Sequence, residues 1–174
     1  AKALLEGLQT HMFTKHYFIT EDKCEIKHQV PLLFDKYKAL LDGILINHNL
    51  KTIEPYDLKT SEDSALGFPD KFFKFRYDLQ AAIYTEAVKV YKDTYYPDYE
   101  LLDFKFVVGS FNYPNKPLVY NAKNILDIGK NGGEYKGKYY KGYLQLTQEY
   151  FWHKEYDKWD YRKEVYDQKG VINL

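Results

Sequence analysis

Cysteine is all but missing from this chain. Its single thiol, Cys24, excludes an internal disulfide and any Cys-rich zinc site, and makes a reducing cytoplasmic compartment the expectation. No apolar run reaches the length that spans a bilayer and no signal peptide is recognisable, so no membrane partner is expected. Net charge is missing too, with 25 Lys and Arg against 25 Asp and Glu. A chain without overall basicity is not drawn to a polyanion as a whole. Nucleic acid would need a local basic patch, with the acids gathered elsewhere. Repeats and long linkers are absent as well. The length suits one domain, 1–174, that buries roughly 70% of its unfolded surface.

What the chain has in excess is aromatic: 19 Tyr and 11 Phe among 174 residues. Tyrosine suits half-exposed surfaces and base stacking, and a genome biased towards Tyr gives the same count. An aromatic-rich ligand-binding domain is a function that this composition alone supports. Hydrophobic residues at 45% and charged residues at 29% describe an ordinary globular chain.

Periodicity orders the elements. "AKALLEGLQTHMFTKH" has the helical spacing, with Ala1, Leu4, Leu5, Leu8 and Met12 on one side. "CEIKHQVPLLFD", "YKALLDGILIN" and "TIEPYDLKT" read as three antiparallel strands, the last two joined by the turn residues of "NHNLK". Pro55 in the third suggests an edge or a bulge. After the loop "SEDSALGFPD" a helix is expected from Lys71 to about Lys92, its stripe formed by Tyr77, Gln80, Ala81, Tyr84, Val88 and Tyr91. "LLDFKFVVGSF" and "YPNKPLVYNA" read as further strands, "IGKNGGEYKGK" as a mobile loop, and the tail as helical at first, with Leu144, Thr147, Tyr150 and Phe151 inside. Helix, strands, helix and strands make a mixed α/β domain.

The chemistry-bearing residues follow from register. Asp42 and Asp57 are spaced almost symmetrically about the turn Asn47–Lys51, so they lie opposite one another or within one residue of it. Opposite residues have Cβ atoms roughly 4.5–5.5 Å apart. Strand alternation places Lys59 on the same face as Asp57, and Tyr56 and Leu58 on the other. Two such carboxylates repel unless a cation joins them or one keeps a proton. Hard oxygen donors select Mg²⁺, with Mn²⁺ as the alternative, and the Leu58 backbone carbonyl is a further candidate ligand. Mg²⁺ with a nearby ammonium, Lys59, suits phosphodiester hydrolysis. The same Asp-x-Lys triplet also occurs on many solvent-facing strands that do no chemistry.

Gln80 and Tyr84, four apart, share one helix face with Tyr77 a turn earlier. An amide on that stripe needs hydrogen-bond partners. The series Asp42, "DLK" at 57–59 and "QAAIY" at 80–84 resembles the PD-(D/E)xK nuclease superfamily. Within it the likeness is to the branch with a Gln-x-x-x-Tyr helix, which includes RecB-type, Cas4-type and RecE-like exonucleases, and it is most similar to the RecE-like, phage-type recombination group. The likeness covers about Glu25 to Lys92. It implies a restriction-endonuclease-like core, a central mixed sheet flanked by helices, and Mg²⁺-dependent, exonucleolytic DNA cleavage in recombination or repair. DNA would be the partner, with a recombination annealing protein as a second. By matching positions Asp42 and Asp57 are the metal-ligand acids, Lys59 the catalytic lysine, and Gln80 and Tyr84 the helix bordering the site.

The family's upstream helix also offers a His and a Glu towards the metal. Within the helical segment 1–16 only Glu6, His11 and His16 carry such groups, so Glu6 is the candidate ligand unless that helix lies upstream of Ala1. Lys71, Lys74 and Arg76, aided by Lys136, Lys138 and Lys141, would form the DNA backbone track or simply solvated helix and loop ends. Tyr77 and Phe75 would stack on a frayed strand or pack in the core. The rival to the enzyme is a DNA-binding or assembly module that keeps the scaffold without catalysis.

Overall fold

The computed structural model describes residues 1–20 and 22–172; the remaining three positions of the expected domain 1–174 lie outside the described residues. Three long strands, β1 (Cys24–Phe34), β2 (Tyr37–Asn47) and β3 (Thr52–Ser61), form an antiparallel meander. β4 (Glu100–Leu101) and β5 (Lys105–Ser110) then join β3 in parallel, and β6 (Leu118–Asn121) closes the far edge antiparallel to β5. The result is a mixed sheet in the order β1-β2-β3-β5-β6, with β4 beside the start of β3.

Helices cover both faces of the sheet. α1 (Lys2–Thr10) buries Leu4 and Leu8 against Tyr56 and Val107 on one face. α3 (Tyr77–Tyr95) buries Ala81, Ala87 and Val88 against Ile44, Ile46, Ile53, Phe106 and Val108 on the other. Alternation along β3 and β5 produces this division, since neighbouring side chains point to opposite faces. α4 (Leu126–Asn131), α5 (Tyr143–Tyr156) and α6 (Lys163–Asp167) follow, with a small hairpin of β7 (Gly133–Tyr135) and β8 (Lys138–Tyr140) between α4 and α5.

The register that matters is set by the β2–β3 turn. The Asn47 side-chain oxygen accepts the backbone N–H groups of Asn49 (3.0 Å) and Leu50 (2.9 Å), and Lys51 adopts a left-handed φ of 52°. An Asx turn of this kind fixes which residues face each other. Thr52 then lies opposite Asn47, and the ladder runs out to Tyr56 opposite Gly43. Gly43 is required there because the Tyr56 ring lies across it, and any Cβ would overlap the ring.

Several expectations need correction. The helix expected from Lys71 to Lys92 is two: α2 (Phe68–Phe72) and α3, separated by a kink at Arg76, whose φ is 55°. Arg76 is fixed there by its own guanidinium, which binds the buried Asp78 carboxylate through two hydrogen bonds of 3.0 and 2.9 Å. "IGKNGGEYKGK" is not a loop but the end of α4 and the β7–β8 hairpin. Pro55 is neither at an edge nor bulged. It pairs with Ile44, in the interval of β3 between the residues joined to β4 and those joined to β5, so the donor it lacks interrupts neither parallel ladder. In α5 the buried residue is Tyr143, while Leu144, Tyr150 and Phe151 are exposed.

Replacing Gly43 by alanine should destabilise the protein by about 1–3 kcal/mol, the usual cost of overfilling a packed site. Urea unfolding midpoints measure this, and an unchanged midpoint would contradict the packing of Tyr56 over Gly43.

Candidate functional site

One step beyond the Gly43–Tyr56 pair the same register brings Asp42 opposite Asp57. Here the ladder opens. Neither Asp42 nor its β1 neighbour Gln29, at φ 51°, takes part in the β1–β2 pairing that resumes on either side. The buried side of β2 changes at the same point, from Ile44 and Ile46 to Leu41 and Ala39. Freed from the ladder, the Asp42 carboxylate reaches across and accepts the Leu58 backbone N–H at 2.8 Å. Within a strand the N–H and C=O of one residue project to the same edge, so the Leu58 carbonyl also faces Asp42.

Asp57 is only 3% exposed, which for a carboxylate demands partners. Its Oδ1 accepts a hydrogen bond of 2.9 Å from the Gln80 side-chain amide on α3. Its Oδ2 touches the Lys59 ammonium as an ion pair but has no aligned hydrogen-bond donor. Lys59 is itself enclosed, its Nζ 4.7 Å from the Tyr77 ring centroid and 5.9 Å from that of Phe106. Tyr84 stands beside Gln80 and feels both carboxylates; burial first, and then those charges, raise its hydroxyl above the ordinary phenol range. Burial likewise pushes the Asp57 carboxyl up to about 6; the Lys59 ammonium opposes the rise and the Asp42 carboxylate adds to it.

Asp42, Asp57, Lys59, Gln80, Tyr84 and Tyr77 are therefore gathered on the α3 face of the sheet. Glu6 is not. Its helix packs on the opposite face through Leu4 and Leu8, and its side chain is exposed, 3.9 Å from Lys2. Arg76 is committed to Asp78 and the Lys141 carbonyl, and Lys141 to Glu149 and Glu164, so neither is a free cation for a DNA backbone. Lys71 is exposed, 3.6 Å from Asp63. Lys74 is exposed beside the Phe75 ring, and Phe75 is itself exposed rather than core. Tyr77 stacks on Phe68 at 5.4 Å, so one of its faces is already covered.

Among the described residues no three His, Cys, Asp or Glu side chains converge on a point that could hold a metal. The acids that do come together are Asp42 and Asp57, and strand geometry turns the Leu58 carbonyl to the same edge as Asp42. That donor set suits Mg²⁺, which takes one or two carboxylates and keeps several waters. Asp57 Oδ2, buried and met by the Lys59 ammonium alone, is the oxygen that would face such an ion.

No family model matches the chain, and no curated protein is significantly similar to it. Among the described residues no helix is long and apolar enough to cross a membrane.

A carboxyl with a raised pKa binds its proton more tightly in the folded state than in the unfolded chain. Asp57 should therefore cost the metal-free protein stability as pH rises from about 4 through 6, on the order of 3 kcal/mol in all. The Asp57→Asn variant should lose that component. Urea midpoints at matched pH values in EDTA measure it, and parallel curves for the two proteins would contradict the burial of a strained carboxylate.

Proposed function

We propose that this protein is a Mg²⁺-dependent deoxyribonuclease of the PD-(D/E)xK type, acting on DNA ends in recombination or repair. The observation that carries the reading is the convergence of Asp42 and Asp57 beside Lys59, with Gln80 fixing Asp57 from α3. The order α1, β1–β2–β3, α3 and β5, with β5 parallel to β3, supports it as the arrangement that brings these residues together.

Asp42, Asp57 and the Leu58 carbonyl would hold the ion. When bound, it supplies charge neutralisation at the phosphoryl oxygens and acidification of a water. The remaining work belongs to the chain. Gln80 holds Asp57 Oδ1, which leaves Oδ2 directed at the site. Lys59, a compact point charge held between Asp57 and the Tyr77 ring, donates hydrogen bonds to the attacking water and to a phosphoryl oxygen as negative charge builds there. Burial strengthens each of these interactions, because little water remains to screen them. The Tyr84 hydroxyl, kept protonated by its surroundings, is a neutral donor for a non-bridging oxygen.

The competing reading, a binding module on the same scaffold without catalysis, is favoured by one observation. Among the described residues the site gathers two acids, Asp42 and Asp57, and Glu6 lies on the other face of the sheet.

Asp57→Ala and Lys59→Ala should each abolish Mg²⁺-dependent digestion of end-labelled linear DNA, a fall of at least about a hundredfold for loss of one charge-stabilising group. Both variants should retain their fold by circular dichroism. Lys59→Arg should fail as well, because a planar fork does not replace an ammonium at this enclosed position. Linear DNA should be digested and closed circular DNA spared, with EDTA stopping the reaction. Undiminished digestion by Lys59→Ala would falsify the role given to that residue.

A further inference from the structure

A groove of about 960 Å³ lies between the α2–α3 junction and the β7–β8 hairpin. Its floor is aromatic. Phe73 is buried, stacks on Tyr135 at 4.3 Å and packs against the tilted Tyr140 ring at 4.6 Å. Tyr139 is different: it is 57% exposed, and among the described residues no aromatic ring covers either of its faces. It is nonetheless held in place, because its hydroxyl accepts a hydrogen bond of 2.9 Å from the Gln145 amide. An exposed ring fixed from behind is a platform ready to stack.

The charges along the groove divide into two groups. Arg76 and Lys141 line it but are spent on Asp78, Glu149 and Glu164. Lys74, Lys136, Lys138 and Arg162 also line it and make no ion pair among the described residues, with Asp70 as the opposing charge. Lys136 sits at the hairpin tip with φ 48°, next to Gly137 at φ 73°. A two-residue turn with both values positive ordinarily uses Asn, Asp or Gly first. A lysine there costs about 1 kcal/mol or more, so the tip carries a charge at the expense of local stability.

We propose that this groove binds a single strand of DNA, its bases stacking on Tyr139 and its phosphates meeting Lys74, Lys136 and Lys138. A basic channel interleaved with aromatic rings is the chemistry that single strands require, since every base offers a face for stacking. Arg76, which lines the groove, immediately precedes Tyr77, whose ring lies 4.7 Å from the Lys59 ammonium. The inference rests on the nuclease reading for the identity of the strand, which would be the end that frays away from the cleaved duplex.

Binding is measured in EDTA, where no metal-dependent cleavage occurs, by fluorescence anisotropy of a labelled thymidine homopolymer about 12 nucleotides long. Tyr139→Ala and the double change Lys136→Glu with Lys138→Glu should each weaken binding about tenfold or more, the loss expected for one stacked base or two phosphate contacts. Tyr139→Phe should bind like the unaltered protein, because it keeps the ring and gives up only the Gln145 bond. It thereby separates stacking from any structural role of the hydroxyl. An abasic strand of equal length and charge should also bind about tenfold more weakly. Equal affinity of Tyr139→Ala and the unaltered protein would overturn the proposal, as would equal affinity for the abasic strand. Cleavage with Mg²⁺ is scored separately on the same preparations, so loss of binding in the hairpin variants supports the groove whether or not cleavage is seen.

Discussion

A carboxylate removed from water has to be compensated at once, by donors, by a counter-charge or by a proton. Asp57 uses part of each. Gln80 reaches it from α3, Lys59 reaches it from two residues further along its own strand, and its carboxyl is pushed up to about 6. These contacts tie the longest helix to the central strand at one point. Tyr77, which encloses Lys59, ties the α2–α3 junction to the same place. Breaking a buried pair by removing one partner is usually far more damaging than never having formed it. The arrangement therefore serves as much to position α3 as to prepare a charged site.

Asp42 enters this assembly through a local failure of the sheet. Beyond Gly43 and Tyr56 the β2–β3 ladder stops, and β3 continues with β5 instead. The Leu58 N–H, left without a strand partner, takes the Asp42 carboxylate. Backbone groups at such an opening must be satisfied by something. Here a side chain does it, and the second acid arrives beside the first. Gly43 and the Asn47 turn are thus part of the site although neither touches it: one admits Tyr56, and the other sets the register.

Much of this was legible in the sequence because it depends on short-range rules. The Asn-rich turn, the alternation of Asp57 with Lys59, and the four-residue spacing of Gln80 and Tyr84 each fix a direction without reference to distant residues. The same rules gave the meander and the stripe of α3. They failed where a partner far along the chain decides. Arg76 reads as a cation on a helix end, but its guanidinium meets the carbonyl of Lys141, 65 residues away. Glu6 has the right chemistry on a helix, and only the packing of Leu4 and Leu8 shows that the helix covers the other face. The β7–β8 hairpin had a usable local signal in the Lys136-Gly137 pair, set between Tyr135 and the run Lys138-Tyr139-Tyr140. The density of glycine around it reads more readily as a loop.

The central claim is that the Asp42 and Asp57 carboxylates share a divalent cation. A crystal grown with Mn²⁺ and measured for anomalous scattering tests it most directly. One peak should appear within bonding distance of both carboxylates and of the Leu58 carbonyl, with the Lys59 ammonium displaced from Asp57 towards solvent. A structure at saturating Mn²⁺ with no peak there, and with Lys59 still paired to Asp57, would contradict it.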